Sequence, residues 1–298
     1  MRTIAIISPG NMGHAVGRLL GSRGFAVVTA LAERSARTRG LAARAGIRDL
    51  GAIEAVVAAA DLVLSILPPA AAVAAAEEAA AAMRTSGATP PFADCNAIAP
   101  ATTERIEKLI RGAGANYIDA GIIGGPPAAG TGPRFYASGP AAHLLQPLHG
   151  GGLVVRDLGG AIGRASALKM CYAAVTKGTS ALQFAQLAAA SRLGVGEALA
   201  GELTESRGAV YAAMRRALPG LPAKAPRWIE EMRQIAATFE SVGVPGQFHH
   251  GAAALYELLS ATPFANEPED AVDTSRSLET TVAALAEVCG ADTEAGSA

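Results

Sequence analysis

The chain has 298 residues, half of them hydrophobic, enough to bury a large core and to form two domains of ordinary size. Aromatic residues make up only 4%, so small aliphatic side chains must fill that core. A formal net charge of −1, with no run of basic residues, gives no general attraction to nucleic acid or an anionic membrane, and neither is an expected partner. Cys95, Cys171 and Cys289 lie far apart without paired spacing, which points away from a disulfide framework or a zinc site and towards a reducing cytoplasm. No secretory leader is expected, because a strand-like apolar run follows Arg2 directly.

Residues 1 to about 156 alternate the β-type runs TIAII, FAVVTAL, DLVLSIL, PFADC, NYIDA, FYASG and LVV with stretches of helical spacing. This alternation predicts a parallel sheet covered by helices on both faces, the last strands extending it beyond its core. The tract PPAAAVAAAEEAAAAMR, interrupted by Glu77 and Glu78, reads as an alanine-rich surface helix and not a membrane span. From about Ala161 no strand is expected. Proline and glycine clusters at 219–226, 243–246 and 261–270 divide the second half into several helices. The expected organisation is an α/β nucleotide-binding domain over 1–160 and an all-α domain over 161–298. The longest helical pattern, about Ile162 to Ala190, is apolar or small on nearly every side and must be buried all round. One small domain could hardly wrap it, so a homodimer through the helical domain is expected. The tail EVCGADTEAGSA is expected to fray.

The first strand runs into SPGNMGHAVGRLL, with Ser8, Gly10 and Gly13 at the three glycine positions of G-x-G-x-x-G. The second glycine lets backbone approach a pyrophosphate and the third lets helix pack on strand, so the stretch reads as a Rossmann-type dinucleotide turn with one glycine replaced. The N–H groups near Asn11 and Met12 would face the phosphates. The second strand ends in LAERSAR. Glu33 suits the ribose hydroxyls of NAD, whereas Arg34 with the adjacent Ser35 suits a 2′-phosphate. NADP is favoured and NAD remains open. The plainer alternative is that Arg34 and Arg37 are solvated at a helix start capped by Ser35.

The stretch GRASALKMCYAAVTKG places Lys169 on one helical stripe with Tyr172, Ala173 and Thr176, and Lys177 roughly 80° away. Lys169 is either a charge that snorkels to water or a desolvated amine poised for proton transfer. Lys177 is assigned a structural or interface role. Further candidates for substrate contact are Trp228, Glu231, His249 and His250, with packing or surface roles as the alternatives. None has partners spaced for a metal, and none is expected.

The runs IAIISPGNMG, DLVLSILPP, DCNAIAP, YIDAGIIGGPP and LKMCYAAVTKG stand in the order found in β-hydroxyacid dehydrogenases. Over nearly its first 180 residues the chain resembles that superfamily of 3-hydroxyisobutyrate and phosphogluconate dehydrogenases. The second half, with WIEEMRQIAATFESVG and FHHGAAALYELL, is similar to a helical domain attached to phosphogluconate-dehydrogenase-type nucleotide domains in proteins of largely unassigned function. The resemblance implies that Lys169, on the long interdomain helix, is the general acid/base beside nicotinamide and substrate. It also implies that Leu67 and Pro68 line the cofactor and that Asn96 lies near the nicotinamide ribose and carboxamide. Gly124 and Gly125 would offer backbone N–H groups to a substrate anion. Two positions depart from the superfamily's pattern: Ile123 stands where a serine is usual, and Ala173 where an asparagine is usual, with Tyr172 or Thr176 as partial replacements. The implied activity is NAD(P)-dependent hydride transfer at a hydroxyl-bearing carbon of a small hydroxy acid or related alcohol, with decarboxylation where a β-keto acid forms. The alternatives are an imine reductase of the same architecture and a dinucleotide-binding sensor without turnover.

Overall fold

The computed structural model describes residues 1–127, 132–269 and 271–295. The chain forms two compact units, Met1–Tyr172 and Ala173–Ala298. The first unit runs β1 (Thr3–Ile7), α1 (Asn11–Ser22), β2 (Ala26–Thr29), α2 (Ala36–Arg44), β3 (Arg48–Asp49), α3 (Ile53–Ala59), β4 (Leu62–Ser65) and α4 (Ala72–Ser86). It continues with β5 (Phe92–Asp94), α5 (Pro100–Gly112), β6 (Tyr117–Ile123), β7 (Arg134–Ser138) and β8 (Val154–Asp157). The long helix α6 (Arg164–Arg192) carries the chain into the second unit, which holds α7 (Gly196–Ala217), α8 (Ala225–Glu240), α9 (Gln247–Ser260) and α10 (Leu278–Ala295). The fold is therefore the Rossmann-type α/β architecture followed by helices.

Among the described residues the strands form one sheet in the order β3-β2-β1-β4-β5-β6-β7-β8. Every neighbouring pair is parallel except β6 and β7. The link between those two, residues 124–133, is shorter than the dozen or so residues a parallel crossover needs, so the chain turns straight back. Strand β3 is a polar dipeptide, too short to leave a periodicity in the sequence. The alternation of β1 divides the core: Ile4 and Ile6 pack with Val16 and Leu20 of α1 on one face, while Ala5 and Ile7 meet Ala76 and Met83 of α4 and Ile106 of α5 on the other. The alanine-rich α4 is thus half core and half surface. All of β6 is buried, as a strand covered on both faces must be.

In the second unit α8 starts at the end of the first proline cluster, with Pro226 in its first turn, and α9 starts just after GVPG. Helix α10 continues to Ala295, through most of the segment expected to fray, and residues 296–298 lie outside the described ones. Helix α6 leaves Val175 and Leu182 open, at 68% and 54% exposure, so this chain alone does not bury it all round. Among the described residues no helix is long and apolar enough to cross a membrane.

Candidate active site

The strand order reverses between β1 and β4, and the loops at their carboxyl ends open there, where doubly wound sheets take their ligands. Ser8, in place of the first glycine, adopts φ 55° and is the one non-glycine residue with positive φ among those described. The serine therefore keeps the tight turn that the glycine usually supplies, and Gly10 N–H closes it on the Ser8 carbonyl at 2.7 Å. Gly10 precedes α1 without a side-chain cap, and a Cβ built on it would meet nothing within 4 Å. The N–H groups of Asn11, Met12 and Gly13 thus open α1 beneath a cradle that any side chain at position 10 would fill. This is the form a pyrophosphate site takes. A Cβ on Gly13 would instead lie 3.2 Å from Ile6 Cγ2, so this glycine serves helix–strand packing.

After β2, Ser35 caps α2, its Oγ accepting from Thr38 N–H at 3.2 Å. Arg34 lies 3.8 Å from Glu78, and Glu33 is exposed. Arg37 reaches back to Asn11, donating to Oδ1 at 2.8 Å, and so ties the start of α2 to the start of α1. Asn96 is buried. Its Oδ1 accepts from Leu67 N–H at 2.6 Å and its Nδ2 donates to Ser65 Oγ at 3.0 Å. The amide expected beside the nicotinamide is thus engaged in holding the Leu67–Pro68 turn in place.

Ile7, Ser65, Asp94 and Asp119 stand in one row across β1, β4, β5 and β6. Two residues further along the chain come Leu67 and Asn96, in the loops after β4 and β5, and Gly121, still within β6. A Cβ built on Gly121 would lie 2.9 Å from Lys169 Cβ and 2.9 Å from the Ala165 carbonyl oxygen. The stem of Lys169 is therefore seated on β6. Lys169 is half-buried, whereas Tyr172 and Thr176 are exposed. Gly124 and Gly125 follow β6 directly, also exposed.

Asp119 and Gly121 escaped the sequence reading. Asp119 is fully buried, and its Oδ2 accepts from the N–H groups of Gly163, Ala165 and Ser166 at 2.9, 3.0 and 3.3 Å and from Ser138 Oγ at 2.7 Å. Its Oδ1 accepts from Ser166 Oγ at 2.6 Å. With that hydroxyl proton spent, Thr103 Oγ1 donates to Ser166 Oγ at 2.8 Å. Every group on Asp119 is a donor, so both oxygens of this buried side chain are satisfied at the helix N-terminus. Its neighbour Asp94 has a buried Oδ2 without a hydrogen-bond partner, and burial pushes its pKa up to about 7, against the hydrogen bond from Asn96 N–H.

In the second unit Lys177 and Glu231 form a buried ion pair at 2.7 Å. Lys177 Nζ lies 5.1 Å from the Trp228 ring centroid, and Trp228 meets Tyr256 edge-on. Tyr256 donates to the Lys177 carbonyl at 2.7 Å. His249 is buried between Phe239 and Phe248, and desolvation, aided by His250, lowers its pKa. Trp228 and His249 are thus held by ring contacts within the second unit. His250 is exposed and pairs with Glu240 at 3.0 Å.

A doubly wound sheet with an uncapped helix and glycine cradle at its switch point defines a Rossmann-type dinucleotide-binding protein. Residues 3–147 match the NAD binding domain of 6-phosphogluconate dehydrogenase, and residues 190–259 match a domain of unknown function (DUF1932). The chain thus joins a nucleotide domain like that of 6-phosphogluconate dehydrogenase to that helical domain. A conserved protein of unknown function, described as structurally similar to 3-hydroxyacid dehydrogenases, is 29% identical over 86% of this chain and 96% of its own, with a TM-score of 0.63. The 3-hydroxyisobutyrate dehydrogenase of Mycobacterium tuberculosis is 22% identical over 91% of this chain and 98% of its own, at a TM-score of 0.67. The reductive aminase from Aspergillus terreus, solved with NADPH and ethyl levulinate, is 19% identical over 92% and 97%, at 0.57. At those identities the last two share a fold with this chain. A search of curated proteins gave no match.

Proposed function

We propose that the protein is an NAD(P)-dependent dehydrogenase or reductase in which Lys169 manages the proton of hydride transfer at the hydroxyl-bearing carbon of a small hydroxy acid or related alcohol. The observation that carries this reading is the seat of Lys169 on Gly121, two residues past Asp119 on β6, as Asn96 is two residues past Asp94, its partner in register on β5. A bound nicotinamide supplies or accepts the hydride. Gly10, Asn11, Met12 and Gly13 hold the pyrophosphate through backbone N–H groups. Arg34 and Ser35 take the 2′-phosphate that favours NADP, and Leu67 and Pro68 pack against the cofactor in a turn fixed by Asn96. Gly124 and Gly125 offer N–H groups to an anionic substrate, with the hydroxyls of Tyr172 and Thr176 as secondary contacts. Lys169 takes the hydroxyl proton in oxidation and returns it in reduction. A β-keto acid product would lose carbon dioxide, with Lys169 protonating the enol. Residues 1–160 form the cofactor domain and 161–298 the substrate and dimer domain, and the protein works in the cytoplasm.

Imine reduction is the second reading, favoured by Ile123 and Ala173, both buried, where hydroxy-acid pockets resembling this one carry serine and asparagine. Hydroxy acids, aldehydes, ketones and cyclic imines screened with both cofactors, read by absorbance of the reduced ring, separate the two. With the substrate found, Lys169→Ala is expected to lower turnover by about 10²–10⁴-fold while cofactor affinity holds. Lys169→Arg is expected not to restore it, because a guanidinium stays protonated. Wild-type turnover in folded Lys169→Ala would remove the proposal.

A further inference from the structure

The opening turns of α6 are fixed by two separate devices, both supplied by β6. Gly163 stands where a helix usually carries its capping side chain and has none, and Asp119 reaches from the sheet to take the free N–H groups of Gly163, Ala165 and Ser166. Ser138 extends the clasp, donating to Asp119 and accepting from Ala165 N–H at 3.0 Å. These bonds fix where α6 begins along its axis and how it is turned about it. Gly121 fixes the third coordinate, the distance from the sheet, because the Ala165 carbonyl and Lys169 Cβ occupy the space a side chain at 121 would need. Ala165 belongs to both devices, its N–H capped and its carbonyl resting on Gly121. Lys169 follows one turn later, on the same side of the helix.

We propose that Asp119 and Gly121 are positioning residues for Lys169, the clasp and the glycine seat together holding its amine in register with the ligand edge of the sheet. This rests on the reading of Lys169 as the acid/base group. A cap alone would serve any helix. The direct contact of Lys169 Cβ with a glycine two residues beyond the capping carboxylate ties this one to the amine.

Gly121→Ala tests the seat, since φ at Gly121 is not positive and alanine meets only the steric block. The expected result is a fall in kcat of about 10–100-fold, as for a group displaced by up to an ångström. Cofactor Kd should stay within about twofold, and the limb of the pH–rate profile that belongs to the amine should move. Ser166→Ala, which removes the 2.6 Å hydroxyl bond to Asp119, is expected to act in the same direction to a smaller extent, and it decides the matter alone if Gly121→Ala fails to fold. Gly112→Ala in α5, where a Cβ meets nothing within 4 Å, is the control expected to match wild type. Wild-type kcat in folded variants, or a fall in kcat with an unmoved pH profile, would overturn the positioning role while an inactive Lys169→Ala still upheld the mechanism. An active Lys169→Ala would overturn both.

Discussion

In the NADP site proposed above, Arg34 and Ser35 would divide the task of recognising a 2′-phosphate. Ser35 Oγ accepts from Thr38 N–H at 3.2 Å and lies 3.1 Å from Thr38 Oγ1, and towards an anion it can act only as a donor. Arg34 faces the Glu78 carboxylate at 3.8 Å, a loose and largely solvated pair that an arriving phosphate can outcompete. Arg34→Ala is therefore expected to weaken NADPH by about 1.5–3 kcal/mol, the range for a charge-assisted hydrogen bond, and NADH much less. Calorimetric titration with both cofactors checks this. Equal weakening of the two would return the ribose to Glu33.

At the scale of elements, two buried acids meet in register where β5 and β6 lie side by side, and they divide their roles. Asp119 is surrounded by donors, whereas Asp94 has one oxygen without a partner and holds its proton up to about pH 7. Because the folded form binds this proton more tightly than the unfolded chain does, the stability from Asp94 is complete below about pH 4 and is lost as pH rises through 7. Asp94→Asn cannot ionise. Its stability relative to wild type is expected to rise between pH 4 and pH 8, read as a widening gap in melting temperature in its favour. A parallel pair of melting curves would show Asp94 ionising without cost in the fold. In the second unit the Lys177–Glu231 pair joins α6 to α8, and the Tyr256 hydroxyl adds α9. Lys177→Ala leaves a carboxylate buried alone and is expected to cost about 3–5 kcal/mol in chemical denaturation. The double change Lys177→Met with Glu231→Leu should recover most of that, and turnover of the folded fraction should hold in both.

At the scale of the whole molecule, the open stripe on α6 sets the expected assembly. Val175 and Leu182 are followed by Leu193, just past the helix, which is 75% exposed, and much of α7 is exposed as well. Apolar side chains repeated along one helix face in this way mark an association surface. We expect sedimentation at micromolar concentration to give twice the 29.9 kDa chain mass. A Leu182→Glu change should shift the boundary towards monomer, and a clean wild-type monomer with full activity would show that the stripe is left to water.

The alternation of strand and helix, the dinucleotide turn and the proline breaks of the second half were legible in the chain by itself. Each is written in local spacing: a period of two or of 3.6 residues, or a glycine at a fixed interval from a strand. Even the departure at Ser8 was visible, though the positive φ that makes the serine equivalent to a glycine was not. What the tertiary structure alone decided joins residues distant in sequence. Asp119 caps a helix that starts some 44 residues later, Gly121 receives the stem of Lys169, Lys177 finds Glu231 across 54 residues, and Asn96 turns inward to hold Leu67. No periodicity encodes such pairs, because they form only when the sheet and its helices have packed and bring buried polar groups within reach of one another.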